Sequence, residues 1–431
     1  MMNYPKYESY KDSGIDWLGE IPSDWKQQSN KYIFKLKKTL VGNHSSDYVL
    51  LSLTLKGIIE RDMENPEGKF PAEFNTYQIV EKNDFVFCLF DVEETPRTVG
   101  LSEYNGMITG AYTVMEVSKH VSNKYFYYFY LNLDTDKRLK SLYTGLRNTI
   151  SKDSFFSFKS FVPPIQEQTL IAKFLDQKTS QIDEAIRIKE KQIELLKEQK
   201  QIMIQNAVTK GLDPNVKMKD SGVDWIGEIP EHWEVRRVKT IFQLITEQAP
   251  KNNTFELLSV YTEIGVKPRK DLEEKGNKAS TTDGYWMVKK GDFIVNKLLA
   301  WMGAVGISEF TGVTSPAYDI LRPFVALDGY YYHNLFRNPI FTSVMRQNSK
   351  GIMDMRLRLY FDKFGDIKIP FPPLEQQQCI AKFIEQKTVQ NDTGIALLKK
   401  EIDFLKEYKT TLINSAVTGK IKVTPEMVGE A

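Results

Sequence analysis

Two stretches decide how this sequence is read: KDSGIDWLGEIPSDW, from Lys11 to Trp25, and KDSGVDWIGEIPEHW, from Lys219 to Trp233. Eleven of the fifteen positions are identical, and two of the four differences exchange one aliphatic residue for another (Ile15 for Val223, Leu18 for Ile226). A second pair of phrases lies at nearly the same separation. VPPIQEQTLIAKFLDQKTSQIDEAI begins at Val162 and FPPLEQQQCIAKFIEQKTVQNDTGI at Phe371, an offset of 209 against 208 for the first pair. One shared long period means that a whole unit is duplicated. Each copy has an opening phrase, a variable body and a long tail. Fainter echoes in the bodies, such as NDFVF at Asn83 and GDFIV at Gly291, or Arg147 and Arg356, point to one fold under diverged sequences.

The tail reads as a helix. Pro163 and Pro164 enforce an extended approach, and helix formers then run without Gly or Pro to Gly211. That is about 40 residues, or roughly 60 Å at 1.5 Å per residue. Apolar residues alternate at three and four: Ile182, Ile186, Ile193, Leu196 and Met203 in the first copy, and Ile384, Ile395, Leu398, Ile402, Leu405 and Leu412 in the second. A stripe one helix wide needs a partner, and the nearest matching stripe is the other copy. Lys200 and Lys409, Thr179 and Thr388, and Asn391 fall on the seam. Two readings stay open for them: they fix register, or the seam is splayed there.

The bodies, residues 26–161 and 234–370, carry short β-prone runs punctuated by Gly, Asn, Asp and Pro, with few helical stretches. Each is expected to be a compact α+β domain. The chain then divides into a repeated segment (1–25), body 1 (26–161), long helix 1 (162–212), the second repeated segment (213–233), body 2 (234–370), long helix 2 (371–421) and a tail (422–431). The aromatic runs Tyr125 to Tyr130 and Tyr330 to Tyr332 read as core packing, with base-stacking platforms as the alternative.

Composition narrows the class. No apolar run approaches the roughly 20 residues of a membrane span, and MMNYPKYESYKDSG at the start lacks the apolar stretch of an export signal. Cys88 and Cys379 have no partner spacing and read as buried thiols. A cytoplasmic protein is expected. A net charge of +2 gives no global basic signature, so any nucleic-acid contact must be arranged locally.

The motifs of catalysis are missing. There is no phosphate-cradling loop, no dinucleotide fingerprint, no zinc-deaminase signature, and the histidines (His44, His120, His232, His333) are scattered. NPIF at Asn338 is a near miss for the N-P-P-[FY] signature of amino-methyltransferases and reads as a helix end. DLEEKGNK at Asp271 lacks the separation of a nuclease site. A binder or scaffold is expected, with no catalytic residue, metal or cofactor of its own.

The duplicated opening phrase, the PPIQEQTLIAKFLDQKT start of the tail, and their repetition over essentially the whole chain resemble the specificity (S) subunits of type I restriction–modification systems. The resemblance implies two tandem target-recognition domains joined by two long helices packed as an antiparallel coiled coil with pseudo-two-fold symmetry. It implies that each domain reads one half of a split double-stranded DNA target. It further implies two docked methyltransferase (M) subunits and two restriction/translocase (R) subunits, with S-adenosylmethionine, ATP and Mg²⁺ on those partners. The alternatives are a protein assembly scaffold, or an enzyme with an unrecognised nuclease or methyltransferase site.

Two sets of residues are singled out. Basic and amide residues late in each body are expected to contact DNA: Arg138, Lys140, Arg147, Asn148 and Lys152 in the first, Arg346, Gln347, Lys350, Arg356 and Arg358 in the second. Trp17, Trp25, Trp225 and Trp233 are the expected anchors for partner subunits, because tryptophan is enriched at interface hot spots. Their competing role is packing within the chain.

Overall fold

The structure, a computed structural model, describes residues 4–62, 73–143, 148–271, 282–351 and 357–430. It divides into two units, residues 1–189 with 400–431 and residues 190–399. The long helices, Ile165–Lys210 and Leu374–Val417, each begin in one unit and end in the other.

In unit 1 the body is built on a four-stranded antiparallel sheet ordered Phe34–Lys37, Thr113–Val117, Phe85–Phe87, Val99–Leu101. Side chains alternate across a strand, so Phe85 and Phe87 enter one core and Val86 another. The first core packs Phe34, Phe85, Phe87 and Met115 against the helix Asn123–Thr135. Ser122 caps that helix, accepting from the Tyr125 N–H. Tyr125, Phe126, Phe129 and Tyr130 on it are fully buried, so this aromatic run is core. The second core is closed by the hairpin Leu51–Thr54 with Gly57–Glu60.

Unit 2 repeats the plan strand for strand: Phe242–Ile245, Tyr318–Pro323, Phe293–Asn296, Val305–Ile307. Phe293 and Val295 face the aromatic helix Gly329–Phe336, and Ile294 faces the hairpin Leu258–Tyr261 with Gly265–Pro268. Tyr331 and Tyr332 are fully buried there, while Tyr330 is exposed. NPIF is a helix boundary: the Asn338 side chain accepts from the Ile340 N–H and caps the helix Pro339–Gln347, whose first residue is proline. Most of DLEEKGNK lies outside the described residues.

The duplicated phrase folds identically in both places. In the first copy Tyr10–Asp12 pairs with Glu20–Pro22, and in the second Met218–Asp220 pairs with Glu228–Pro230. The turns need glycine, since Gly14, Gly19, Gly222 and Gly227 all sit between φ 66° and 71°. The phrase ends in a tryptophan that seats a helix terminus. Trp25 donates to Glu167 (3.2 Å) and lies beside Gly419, just past the second long helix. Trp233 donates to Gln376 (2.6 Å) and lies beside Gly211, just past the first. The aromatic helices complete each clasp: Tyr125 donates to the Val417 carbonyl (3.4 Å) and Tyr331 to that of Val208 (2.6 Å). The phrase recurs because each copy holds the end of the other copy's helix.

The helices pair antiparallel within unit 1, where Lys409 meets Asp183 at 2.6 Å and Lys189 meets Glu401 at 2.5 Å. Partner numbers fall as the first helix's rise. Unit 2 holds the equivalent contact with roles exchanged, Lys200 to Asp392 at 2.8 Å. The Asn391 side chain donates to the Leu196 carbonyl (3.1 Å). Lys200, Lys409 and Asn391 thus make specific cross-helix bonds, which favours the register-setting reading for these three, while Thr179 bonds the Tyr128 hydroxyl instead. The aspartates are more than half exposed, so such pairs are worth about 0–1 kcal/mol each, yet a slipped seam would forfeit them.

In unit 2, His333 is half-buried beside Gly265 and Gly306, and accepts weakly from the Ile307 N–H (3.4 Å). Burial, with the nearby Arg337 charge, holds its pKa down at about 4. An unfolded histidine titrates near 6.5, so between these values the unfolded state binds the extra proton and stability falls as pH drops. Between pH 7 and 4.5 the His333 contribution should decline by about 2 kcal/mol. Urea unfolding of the wild type and His333→Gln across that range checks this: the variant should show a shallower slope.

Candidate nucleic-acid interface and docking surfaces

Unit 1 places the late-body residues beside an acidic loop. Arg138 opens the 3-10 turn Arg138–Leu142, with its guanidinium 4.0 Å from the centre of the Trp17 ring and ion-paired to Asp136. Lys140 pairs with Glu93 at 3.0 Å. The Asn148 carbonyl accepts from the Asp91 N–H (2.7 Å), and Lys152 is exposed at the start of the helix Lys152–Ser157. Arg147 lies outside the described residues. The Lys140–Glu93 pair is largely in water, so a phosphate could replace Glu93 at small cost, whereas the Arg138 side chain is only 21% exposed under Trp17.

Unit 2 differs in what its cations face. Arg346, at the end of helix Pro339–Gln347, has its guanidinium 5.2 Å from the Trp301 ring centre; Gln347 is the last residue of that helix. Lys350 and Arg358 exchange both backbone hydrogen bonds at 2.9 Å. The next residue, Leu359, donates to the Lys297 carbonyl (2.8 Å), which brings this pair to the loop of residues 297–303. Lys350 also reaches Asp362, at 3.9 Å. Arg356 lies outside the described residues.

That loop is held by an arginine that sequence reading passed over. Arg337 is largely buried and donates to four carbonyls: Tyr261 (3.3 Å), Thr262 (2.7 Å), Gly303 (3.0 Å) and Val305 (3.2 Å). Burial lowers its pKa from the ordinary arginine value. Nothing in the sequence distinguishes it from a surface arginine, because its four acceptors come from two separate turns.

The tryptophans separate into two kinds. Trp17 is 37% exposed and Trp225 is half-buried, edge-on to Phe341 with its N–H on the Lys368 carbonyl (3.2 Å). Trp25 and Trp233 have no exposed surface. Against the expectation that all four anchor partner subunits, Trp25 and Trp233 offer no surface to a partner, because the clasps on the helix ends bury them; Trp17 and Trp225 keep exposed surface. A second candidate surface appears on the long helices. Ile188, Leu195 and Ile202 are exposed at seven-residue intervals, two positions after Ile186, Ile193 and Lys200 of the seam. Leu397 and Phe404 are exposed at the positions equivalent to Ile188 and Leu195. The signal was legible as a second heptad register, but the seam's own pattern obscured it.

Among the described residues no group of three or more His, Cys, Asp or Glu could hold a metal ion, and no helix is long and apolar enough to cross a membrane. Both cysteines are free; Cys88 is buried as expected, but Cys379 is exposed, which corrects the expectation of a buried thiol there.

Comparison with known proteins gives one answer. The family model for the type I restriction modification DNA specificity domain matches residues 22–198 and again 230–406. The putative type I restriction enzyme MjaX specificity subunit of Methanocaldococcus jannaschii is 25% identical over 449 residues, covering 98% of this chain and 99% of the relative. The MjaVIII specificity subunit of the same organism is 25% identical, covering 98% of both. Among solved structures, a chain from a study of complex assembly and conformational transition in the type I R-M system matches with a TM-score of 0.63. Its identity is 13%, over 92% of this chain and 98% of that one. The HsdS subunit from Thermoanaerobacter tengcongensis matches with a TM-score of 0.53 and 13% identity, over 93% and 98%. At that identity the structural likeness speaks for the fold. With two copies of its domain spanning most of the sequence, the chain belongs to the type I restriction–modification DNA specificity family.

Proposed function

We propose that this specificity subunit reads a split DNA target, one half with each unit, and that its paired helices set the gap between the halves. The observation that carries the reading is a repeated scaffold with unlike reading loops. Both units have the same strand order, yet the equivalent loops are acidic in unit 1 (Asp91, Glu93, Glu94) and apolar in unit 2 (Leu298, Leu299, Met302). Equal scaffolds suit equal partners, and unequal loops suit unequal base sequences. The basic residues Arg138, Lys140, Asn148 and Lys152, and Arg346, Gln347, Lys350 and Arg358, supply phosphate and base contacts in this reading. Trp17, Trp225 and the exposed heptads on the helices dock two methyltransferase subunits, and two restriction/translocase subunits join that core. S-adenosylmethionine, ATP and Mg²⁺ belong to those partners.

The test is methylome sequencing of cells carrying this chain with its methyltransferase. A new bipartite adenine-methylation motif supports the reading; a folded, assembled complex that leaves no new mark refutes it. Purified chain alone should transfer no methyl group and cut no DNA until partners are added.

A further inference from the structure

The connection between strands Phe293–Asn296 and Val305–Ile307 in unit 2 is chemically unusual for a turn. A turn on a sheet edge is ordinarily polar, but this one reads KLLAWMG from residue 297 to 303. Leu298, Leu299 and Met302 are 38%, 40% and 52% exposed, so three large apolar side chains face water within five residues. Ala300 is fully buried and anchors the turn from below.

The turn is rigidly held. The Asn296 side chain accepts from the N–H groups of Leu298 (3.0 Å) and Leu299 (3.3 Å). The Leu299 carbonyl accepts from Met302 (2.9 Å) and Ala304 (3.1 Å), and the Trp301 indole donates to the Leu298 carbonyl (2.9 Å). Gly303 takes φ +90° and its carbonyl is pinned by Arg337. Three exposed apolar side chains on one hydrogen-bonded turn form a contiguous patch, which is less ordinary than single exposed ones. Cations stand beside it, with Arg346 over the Trp301 ring and the Lys350–Arg358 pair tied to Lys297 through Leu359.

We propose that the turn of residues 298–302 is a wedge that enters the base stack of double-stranded DNA in the half-site read by unit 2. The inference rests on the DNA-reading function proposed above. Apolar side chains inserted between base steps unstack them, while flanking cations hold the phosphates. Unstacking also serves the partner's chemistry, because a base must leave the stack to be modified. The equivalent loop of unit 1 carries Asp91, Glu93 (paired with Lys140) and Glu94, and its Leu89 and Val92 are buried, so it presents no comparable apolar tip. Distortion is therefore confined to one half of the target. An apolar tip with a cationic rim also suits an anionic lipid surface; membership of a DNA-specificity family favours the duplex.

The experiment uses the assembled methyltransferase complex and oligonucleotides bearing the methylome-defined motif, with 2-aminopurine placed in turn at steps of each half-site. Binding should raise fluorescence severalfold in one half-site beyond the modified base itself, and leave the other unchanged. Leu298→Ala with Met302→Ala should abolish that rise and weaken binding about tenfold, because the contacts an inserted wedge makes must outweigh the few kcal/mol that each unstacked step costs. Met302→Phe, which keeps an apolar tip, should retain the rise. An undiminished rise in a double alanine variant that melts like the wild type overturns the wedge, as does a rise equal in both half-sites. Binding of anionic vesicles lost in the same variant, with DNA signals intact, assigns the turn to lipid instead. Failure of the wild-type complex to bind any bipartite DNA would sink the parent reading, a result distinct from all of these.

Discussion

Lengthening both long helices by four residues should lengthen the gap in the DNA motif and leave its two halves unchanged. The insertions belong after Lys191 and after Lys400, close to where Lys189 and Glu401 pair across the helices, so that both helices grow at one level. Each helix gains about 6 Å at 1.5 Å per residue, nearly two base-pair steps of about 3.4 Å. Four residues add roughly 1.1 turns, so the apolar seam returns almost to register and the pair still forms. The Lys200–Asp392 and Lys409–Asp183 contacts lie to either side of the insertions and are kept. The methylated motif should acquire one or two extra unspecified base pairs. An unchanged gap in an active variant would show that the helices are not the ruler. Insertion into one helix alone sets the two sides out of step and should cost assembly outright.

Arg337→Met should damage unit 2 while sparing unit 1. The guanidinium serves four carbonyls from two turns, and methionine fills the stem's space without serving any of them. Stranded buried acceptors cost about 1–3 kcal/mol each, with partial relief from entering water, so a loss of about 3–5 kcal/mol is expected. Hydrogen exchange should locate it. Protection should fall in the hairpin Leu258–Tyr261 with Gly265–Pro268 and in residues 297–307, whose turns the arginine ties together, and persist in the four-stranded sheet of unit 1. Uniform loss across both units, or none, would contradict the role assigned to Arg337.

Local periodicity and the long repeat were enough to read several features from the chain alone. Duplication follows from the offset of the two phrases. The tail helices follow from an uninterrupted run of helix formers after a proline pair, and the seam from Ile182, Ile193, Ile384, Ile395 and Ile402, all of which are buried. These are properties of neighbouring residues and need no knowledge of the remainder. The candidate DNA residues were found through their equivalent placement in two bodies, which is also a pattern along the chain. Tertiary structure decided what lies across large sequence separations. Trp25 looked as available for docking as Trp17, but only folding brings it to Glu167 and Gly419 and buries it. Arg138 and Trp17 were assigned to different surfaces and instead stack on one another. The four acceptors of Arg337 have no signature in sequence, since a carbonyl's identity does not depend on its side chain. Nor does composition reveal that Leu298, Leu299 and Met302 face water, because an apolar run predicts burial unless hydrogen bonds elsewhere force it outward.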